Sequence, residues 1–357
     1  MMTARQRVHN ALYGKEIDRI PWSPLIDDYY LAYLHSLGKK VNTIECQREI
    51  GADIIERHAP YYRCEFTGGV EQKHKTVGDT FYTEFITPVG RLTQAGKNID
   101  NSFTITEFFV KSLEDIKTLQ YIEEHKTSIP EYDWFTQKDA MIGDDGIATV
   151  TTPATPMSQL HEFYMGLENF VYFLEDYPEE MHELMAVMHA NSIKDHIIAA
   201  QSPAQAVFMY EDTSTTTISR NMYLKYCQAE IDDYAKAVQD QGKVYYVHMC
   251  GKLKGFADMI ADNKMDGIDS LCPPETGDMW PWAAHKHWKG KMILGGVDPT
   301  WLCLSSKEQV EAQIRETIEK AKPCRNTILC TGDATAYGTP LENLQLVAEL
   351  VKKYGWH

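Results

Sequence analysis

Positive charge is scarce in this chain. Its 35 lysines and arginines face 51 aspartates and glutamates, a formal net charge of −16 over 357 residues. Such an excess repels nucleic-acid phosphates and anionic membrane surfaces, so neither is expected as a partner, and it is compatible with a basic protein partner. Long apolar runs are missing too. No window approaches the ~20 residues of a membrane span, and the opening Met1-Met-Thr-Ala-Arg-Gln-Arg-Val-His-Asn10 lacks a signal peptide's apolar core. The eight cysteines are scattered, not set out as a disulfide framework, which points to a reducing cytoplasm. Linkers, internal repeats and low-complexity tracts are also lacking. With an ordinary 43% hydrophobic and 24% charged residues, the whole of 1–357 reads as a single domain.

What the chain does have is a recurring pair of signals. Short β-rich runs occur at Ile20–Leu25, Asp53–Arg57, Ile147–Thr151, Ala206–Glu211, Val244–His248, Gly267–Leu271, Met292–Gly296 and Thr327–Thr331. Most are apolar throughout, as parallel strands covered on both faces must be. Helical periodicity fills the gaps. In Leu167–Ala200, Phe170, Leu174, Met181, Leu184, Met185 and Met188 recur at helical spacing, with Pro178 dividing two helices. Eight strands alternating with helices predict an α/β fold, a (β/α)8 TIM barrel with an N-terminal helical segment. Between the second and third strands, Thr80–Ile86, Pro88-Val-Gly-Arg91 and Leu92–Ala95 read as a β-hairpin on the rim.

Barrel chemistry sits at the C-terminal strand ends. There the chain places Asp27 and Asp28, Thr151 and Thr152, Glu211 and Asp212, His248 and Cys250, Cys272 and Glu275, Asp298, and Cys330 and Asp333. In Val244-Tyr-Tyr-Val-His-Met-Cys-Gly251 the two-residue strand period puts His248 and Cys250 on one side, about 7 Å apart. A lone His-x-Cys is usually a buried cysteine beside a bonded histidine. At a barrel strand's end, an imidazole and a thiolate together suit a borderline cation such as zinc, whose catalytic sites take three protein ligands and keep one position open.

Several stretches carry a family resemblance. Thr3-Ala-Arg-Gln-Arg-Val-His-Asn-Ala-Leu12, Arg19-Ile-Pro-Trp22, Pro88-Val-Gly-Arg91, Gly295-Gly-Val-Asp-Pro299 and Gly338-Thr-Pro-Leu-Glu-Asn-Leu344 resemble, in order, the uroporphyrinogen decarboxylase superfamily. The resemblance implies one (β/α)8 barrel. It leaves a choice between the decarboxylase and zinc-dependent, corrinoid-linked methyltransferases. The decarboxylase carries an arginine-rich stretch after its first strand for a polyanionic substrate. This chain has the acidic, aromatic Pro24-Leu-Ile-Asp-Asp-Tyr-Tyr-Leu-Ala-Tyr33 instead. His248-Met-Cys-Gly251 is similar to the methyltransferase branch, where relatives acting on thiols draw a third zinc ligand from a Gly-Cys pair six residues before the late Thr-Pro. The corresponding pair here is Gly332-Asp333, so Asp333 is the expected third ligand, with Cys330 the alternative.

Exchanging a thiolate for a carboxylate makes the cation harder and better suited to oxygen than to sulfur. The expected reaction is therefore demethylation of a methyl ether, with methoxylated aromatics the preferred substrate class. The methyl group would pass to the Co(I) corrinoid of a separate protein, since no Asp-x-His-x-x-Gly corrinoid signature occurs. Tyr29, Tyr30, Tyr210, Trp280, Trp282 and Tyr337 are candidates to flank a ring, and Asp27, Asp28 and Thr151 to bind its polar groups. Glu211 and Asp212 are candidate acids for the leaving oxygen. The rivals are methyl transfer from a corrinoid to a thiol such as coenzyme M, and the decarboxylase itself. Relatives suggest a homodimer.

Overall fold

Six of the apolar runs pair into one parallel sheet in a computed structural model that describes residues 1–99 and 102–357. The order is Thr327–Thr331, Met292–Val297, Gly267–Leu271, Val244–His248, Ala206–Tyr210 and Val150–Thr152. Two further strands, Ile54–Glu56 and Gly146–Ala148, pair in parallel with each other. Thr149 links the two groups, since its amide donates to Glu56 O at 2.7 Å just before Val150 begins pairing with Val207.

The run at Ile20–Leu25 does not become a strand. Pro21 and Pro24 have no amide proton to give a ladder, and the segment retains one parallel bridge, Trp22 with Leu329. Leu329 N donates to Pro21 O and Ser23 N to Leu329 O, both at 2.9 Å, while Asp53 N donates to Trp22 O at 2.7 Å. The strand ladder therefore stops short of the closed eight-stranded barrel that the alternation predicts.

The chain divides into two compact units. The first comprises Met1–Tyr61, Tyr132–Thr152 and Ala199–His357. Strand parity sorts its side chains into two cores. Ile55, Ile147, Phe208, Tyr246, Leu294, Ile328 and Cys330 pack together on one face, joined by Val8, Ala11 and Leu12 of the N-terminal helix Ala4–Leu12. The intervening Leu329 and Val297 pack on the other face against helices Lys307–Ala321 and Leu341–Tyr354, through Val310, Ile314, Leu344, Val347 and Val351. Each such aliphatic side chain contributes roughly 1.5–3 kcal/mol on burial. Ser306 and Gln309 form a reciprocal capping box that starts the first of these helices.

Just before Ile54, Asp53 is saturated. It accepts from Arg7 Nη1 at 2.7 Å, from Arg19 at 2.8 and 2.9 Å, and from the Trp22 amide at 3.0 Å. This network ties the N-terminal helix to the start of a sheet strand.

The second unit, Tyr62–Glu131 and Pro153–Ile198, is built differently. Its four-stranded antiparallel sheet runs Glu71–Val77, Thr80–Ile86, Arg91–Ile99, Ser102–Glu107. The expected hairpin is its central pair. Pro178 opens helix Pro178–Gln201 after Leu167–Asp176 has ended, and Phe170, Met181, Leu184, Met185 and Met188 are buried as core. No described helix is long and apolar enough to cross a membrane.

Candidate metal centre

His248 ends its strand fully buried, on the same face as Tyr246. Tyr210 from the neighbouring strand stacks on its imidazole at 4.2 Å between centroids, with 15° between planes. Neither ring nitrogen has a hydrogen-bond partner. A buried polar atom in that condition is costly to fold around unless something else engages it.

Two residues on, Cys250 leaves the sheet, and Gly251 turns the chain with φ 73°. Asp333 follows the strand Thr327–Thr331 after Gly332, whose backbone lies hard against Cys272. A β-carbon on Gly332 would meet Cys272 Cα at 2.5 Å and Sγ at 2.7 Å. These two turns bring one donor atom each of His248, Cys250 and Asp333 within 4.8 Å of one another. His248 Nε2 stands 4.0 Å from Asp333 Oδ1. Around tetrahedral zinc such atoms are about 3.3–3.7 Å apart, so a small contraction closes the set on a cation.

The local electrostatics fit that use. Burial pushes the Cys250 thiol well above its ordinary range, and the carboxylates of Asp333 and Asp212 push it further. The thiol donates to Asp212 Oδ1 at 3.0 Å. A divalent cation is what would reverse this balance and yield the thiolate. On the far side of the imidazole, Asp269 Oδ2 lies 3.4 Å from Nδ1. Burial raises the Asp269 carboxyl, but the Arg57 guanidinium at 2.9 Å and His248 outweigh it and hold it at about 2.

Of the residues expected at the metal, the structure gathers His248, Cys250 and Asp333, and it places Asp212 on Cys250. Cys330 is elsewhere: it points into the sheet's inner core, fully buried, and accepts from Arg57 at 3.4 Å. Glu211 is also elsewhere. Tyr210 faces inward with Phe208, so Glu211, one residue on, turns outward. There it is fully buried and acts electrostatically on Tyr223, Tyr245 and Glu230.

The acidic, aromatic segment and the loop carrying Asp333 lie side by side. Tyr337 stands 5.2 Å from both Tyr29 and Tyr33, and Tyr30, fully buried, donates to Thr339 O at 3.1 Å. Asp27 caps helix Asp28–Ser36 through the Tyr30 amide at 3.0 Å; its carboxyl is raised by burial and by Asp28 and Asp333. Asp28 is exposed. Thr151 hydrogen-bonds the Arg57 carbonyl, and Thr152 the Phe208 carbonyl. Trp280 and Trp282 stack on each other at 4.8 Å, with Lys320 over Trp282. Asp298 caps helix Pro299–Leu304, with Cys272 3.8 Å from it, and Glu275 is exposed. Arg57 and Asp269 escape a reading that seeks polar groups after strands, because Asp269 lies within its strand. The available signal was an acid in the middle of a short predicted strand, Gly267-Ile-Asp-Ser-Leu271.

Comparison with known proteins places this architecture. No curated protein matches the chain. In structure it is similar to a methyltransferase from Methanosarcina mazei, with TM-score 0.67 and 13% sequence identity over 99% of each chain, a likeness of fold. The uroporphyrinogen decarboxylase (URO-D) family profile matches residues 110–354. That match takes in the strands carrying His248, Asp269 and Asp333, and on it the chain belongs to the uroporphyrinogen decarboxylase family.

Proposed function

We propose that this protein is a zinc-dependent methyltransferase that demethylates a methoxylated aromatic and passes the methyl group to the Co(I) corrinoid of a separate protein. The parallel sheet, extended by the single bridge of Trp22 to Leu329, is read as a (β/α)8 barrel with its chemistry at the strand ends. One observation carries the reading. The buried Nε2 of His248, without a hydrogen-bond partner, shares a 4.8 Å cluster with Cys250 and Asp333.

His248, Cys250 and Asp333 would hold the cation; when bound, it supplies Lewis acidity toward an ether oxygen. The nitrogen, sulfur and oxygen donor set favours an oxygen substrate over a thiol, because one thiolate fewer leaves a harder cation. Asp333, not Cys330, is the proposed third ligand, since Arg57 already engages Cys330. Tyr29 and Tyr337 would flank the ring, Tyr210 holds the imidazole plane, and Asp27 and Thr151 are candidates for its polar substituents. Asp212 takes the acid role in place of the outward-turned Glu211: it accepts the hydrogen bond of the Cys250 thiol at 3.0 Å and would take up that proton when the thiolate binds the cation. In the reaction the O–CH₃ bond breaks and a Co–CH₃ bond forms. Cobalt gives up the electron pair, and a proton from Asp212 ends on the phenol oxygen.

The test is a screen of methoxylated phenols against reduced cobalamin, following methylcobalamin by its absorbance, with the protein before and after chelation. Turnover that disappears on chelation and returns with zinc is expected. Undiminished turnover in chelated, metal-free protein overturns the reading. So does release of carbon dioxide from uroporphyrinogen, which would restore the decarboxylase.

A further inference from the structure

We infer that Asp269 is a positioning residue for the metal centre, fixing the tautomer and tilt of His248, and that Arg57 holds Asp269 in place to do so. This rests on the reading above, that His248 binds a cation through Nε2.

The carboxylate is gripped from several sides. Arg57 donates to Oδ1 at 2.9 Å, Ser270 Oγ donates to Oδ2 at 3.2 Å, and Asp269, Ser270 and the Arg57 side chain are almost wholly buried. Oδ2 is also the atom that faces His248 Nδ1 at 3.4 Å. That gap exceeds an ordinary N–H···O bond by about half an ångström, which a slight tilt of the ring closes.

The backbone is irregular beside the contact. Asp269 stands directly opposite His248 in the parallel register. The pairing of its strand with the next slips between Ile268 and Leu271, and Ser270 there adopts φ 65°, the only left-handed residue other than glycine among the described residues. A non-glycine residue in that region costs energy, and such strain persists where the surroundings hold it. With Nδ1–H directed at Asp269, the Nε2 lone pair is left for Cys250 and Asp333. Arg57 also bonds Cys330, so the same cation keeps the nearest spare sulfur in the core. Histidines bound to metals generally rely on such a carboxylate, and its loss lowers metal affinity about 10–100-fold.

The first measurement uses the native protein: histidine ¹⁵N NMR after zinc loading. A proton on Nδ1 of His248 with Nε2 engaged is expected; the opposite tautomer overturns the inference. The second compares zinc dissociation constants by chelator competition for wild type, Asp269→Asn and the paired Arg57→Met/Asp269→Leu. The paired change removes both buried charges together and so guards against an orphaned guanidinium. We expect affinity to fall about tenfold in the first and about 100-fold in the second, with a shifted visible spectrum after cobalt substitution. Unaltered affinity and spectrum in either folded variant defeat the inference while leaving the metal centre standing. Failure of the wild type to bind zinc defeats the proposed function itself.

Discussion

Two clusters of polar groups in the unit built on the parallel sheet show opposite habits. Asp53, at the start of a strand, has four donors and no valence to spare. His248, at the end of another, is as deeply buried and has no hydrogen bond at either nitrogen. A saturated buried group closes off its surroundings and serves the fold. An unsaturated one such as His248 suits the ligand role proposed for it above. On the proposed reading, strand starts serving stability and strand ends serving chemistry match the division expected of a (β/α)8 barrel.

Mutation should separate the two. His248→Ala should abolish zinc retention and cut methyl transfer on the order of 10³-fold, while the melting temperature of the zinc-free protein barely moves. A large fall in zinc-free stability would erase the contrast. Asp53→Ala should do the reverse. Leaving Arg7 and Arg19 buried without their carboxylate costs about 3–5 kcal/mol in denaturant unfolding, yet the folded fraction should bind zinc normally.

A finer version contrasts Asp333 with Cys330. Asp333→Ala should weaken zinc about 100-fold by chelator competition. Cys330→Ala should leave binding intact and cost about 1–2 kcal/mol of stability. The opposite pattern would move the third ligand into the core.

The smallest effect concerns Glu230. Burial raises its carboxyl, and Glu211 raises it further, to about 9. Below about pH 4.5 the group is protonated in both folded and unfolded chains. From there to about pH 9 the unfolded chain ionises first, so stability declines as pH rises. Glu230→Gln should remove that slope, leaving Tm unchanged near pH 4 and raising it by about 2–4 °C at pH 8. Parallel Tm curves for the two proteins would refute it.

The strands at Val244–His248, Gly267–Leu271 and Thr327–Thr331 were legible to the residue, because dense apolar runs have few alternatives to a buried parallel strand. Ile20–Leu25 looked equally apolar, but its two prolines weigh more than its hydropathy. Glu71–Val77 and Ser102–Glu107 went unread because their side chains are mostly polar and exposed, which leaves no alternation to detect. The meeting of His248 and Cys250 was legible from their two-residue spacing at the end of a strand, and the approach of Asp333 from its place in the family's Gly-Cys register before the late Thr-Pro. Glu211 was misplaced by a single step of the two-residue period, which is enough to turn a side chain from mouth to outer layer. Asp269 was invisible because its role depends on which residue stands opposite it in the register.

Gly332, jammed against Cys272, has a consequence of its own. The loop bearing Asp333 is anchored by a position that tolerates no side chain, so its path is settled before residue 333 is reached. On the proposed reading, exchanging residue 333 would change the hardness of the ion held there without redrawing the backbone.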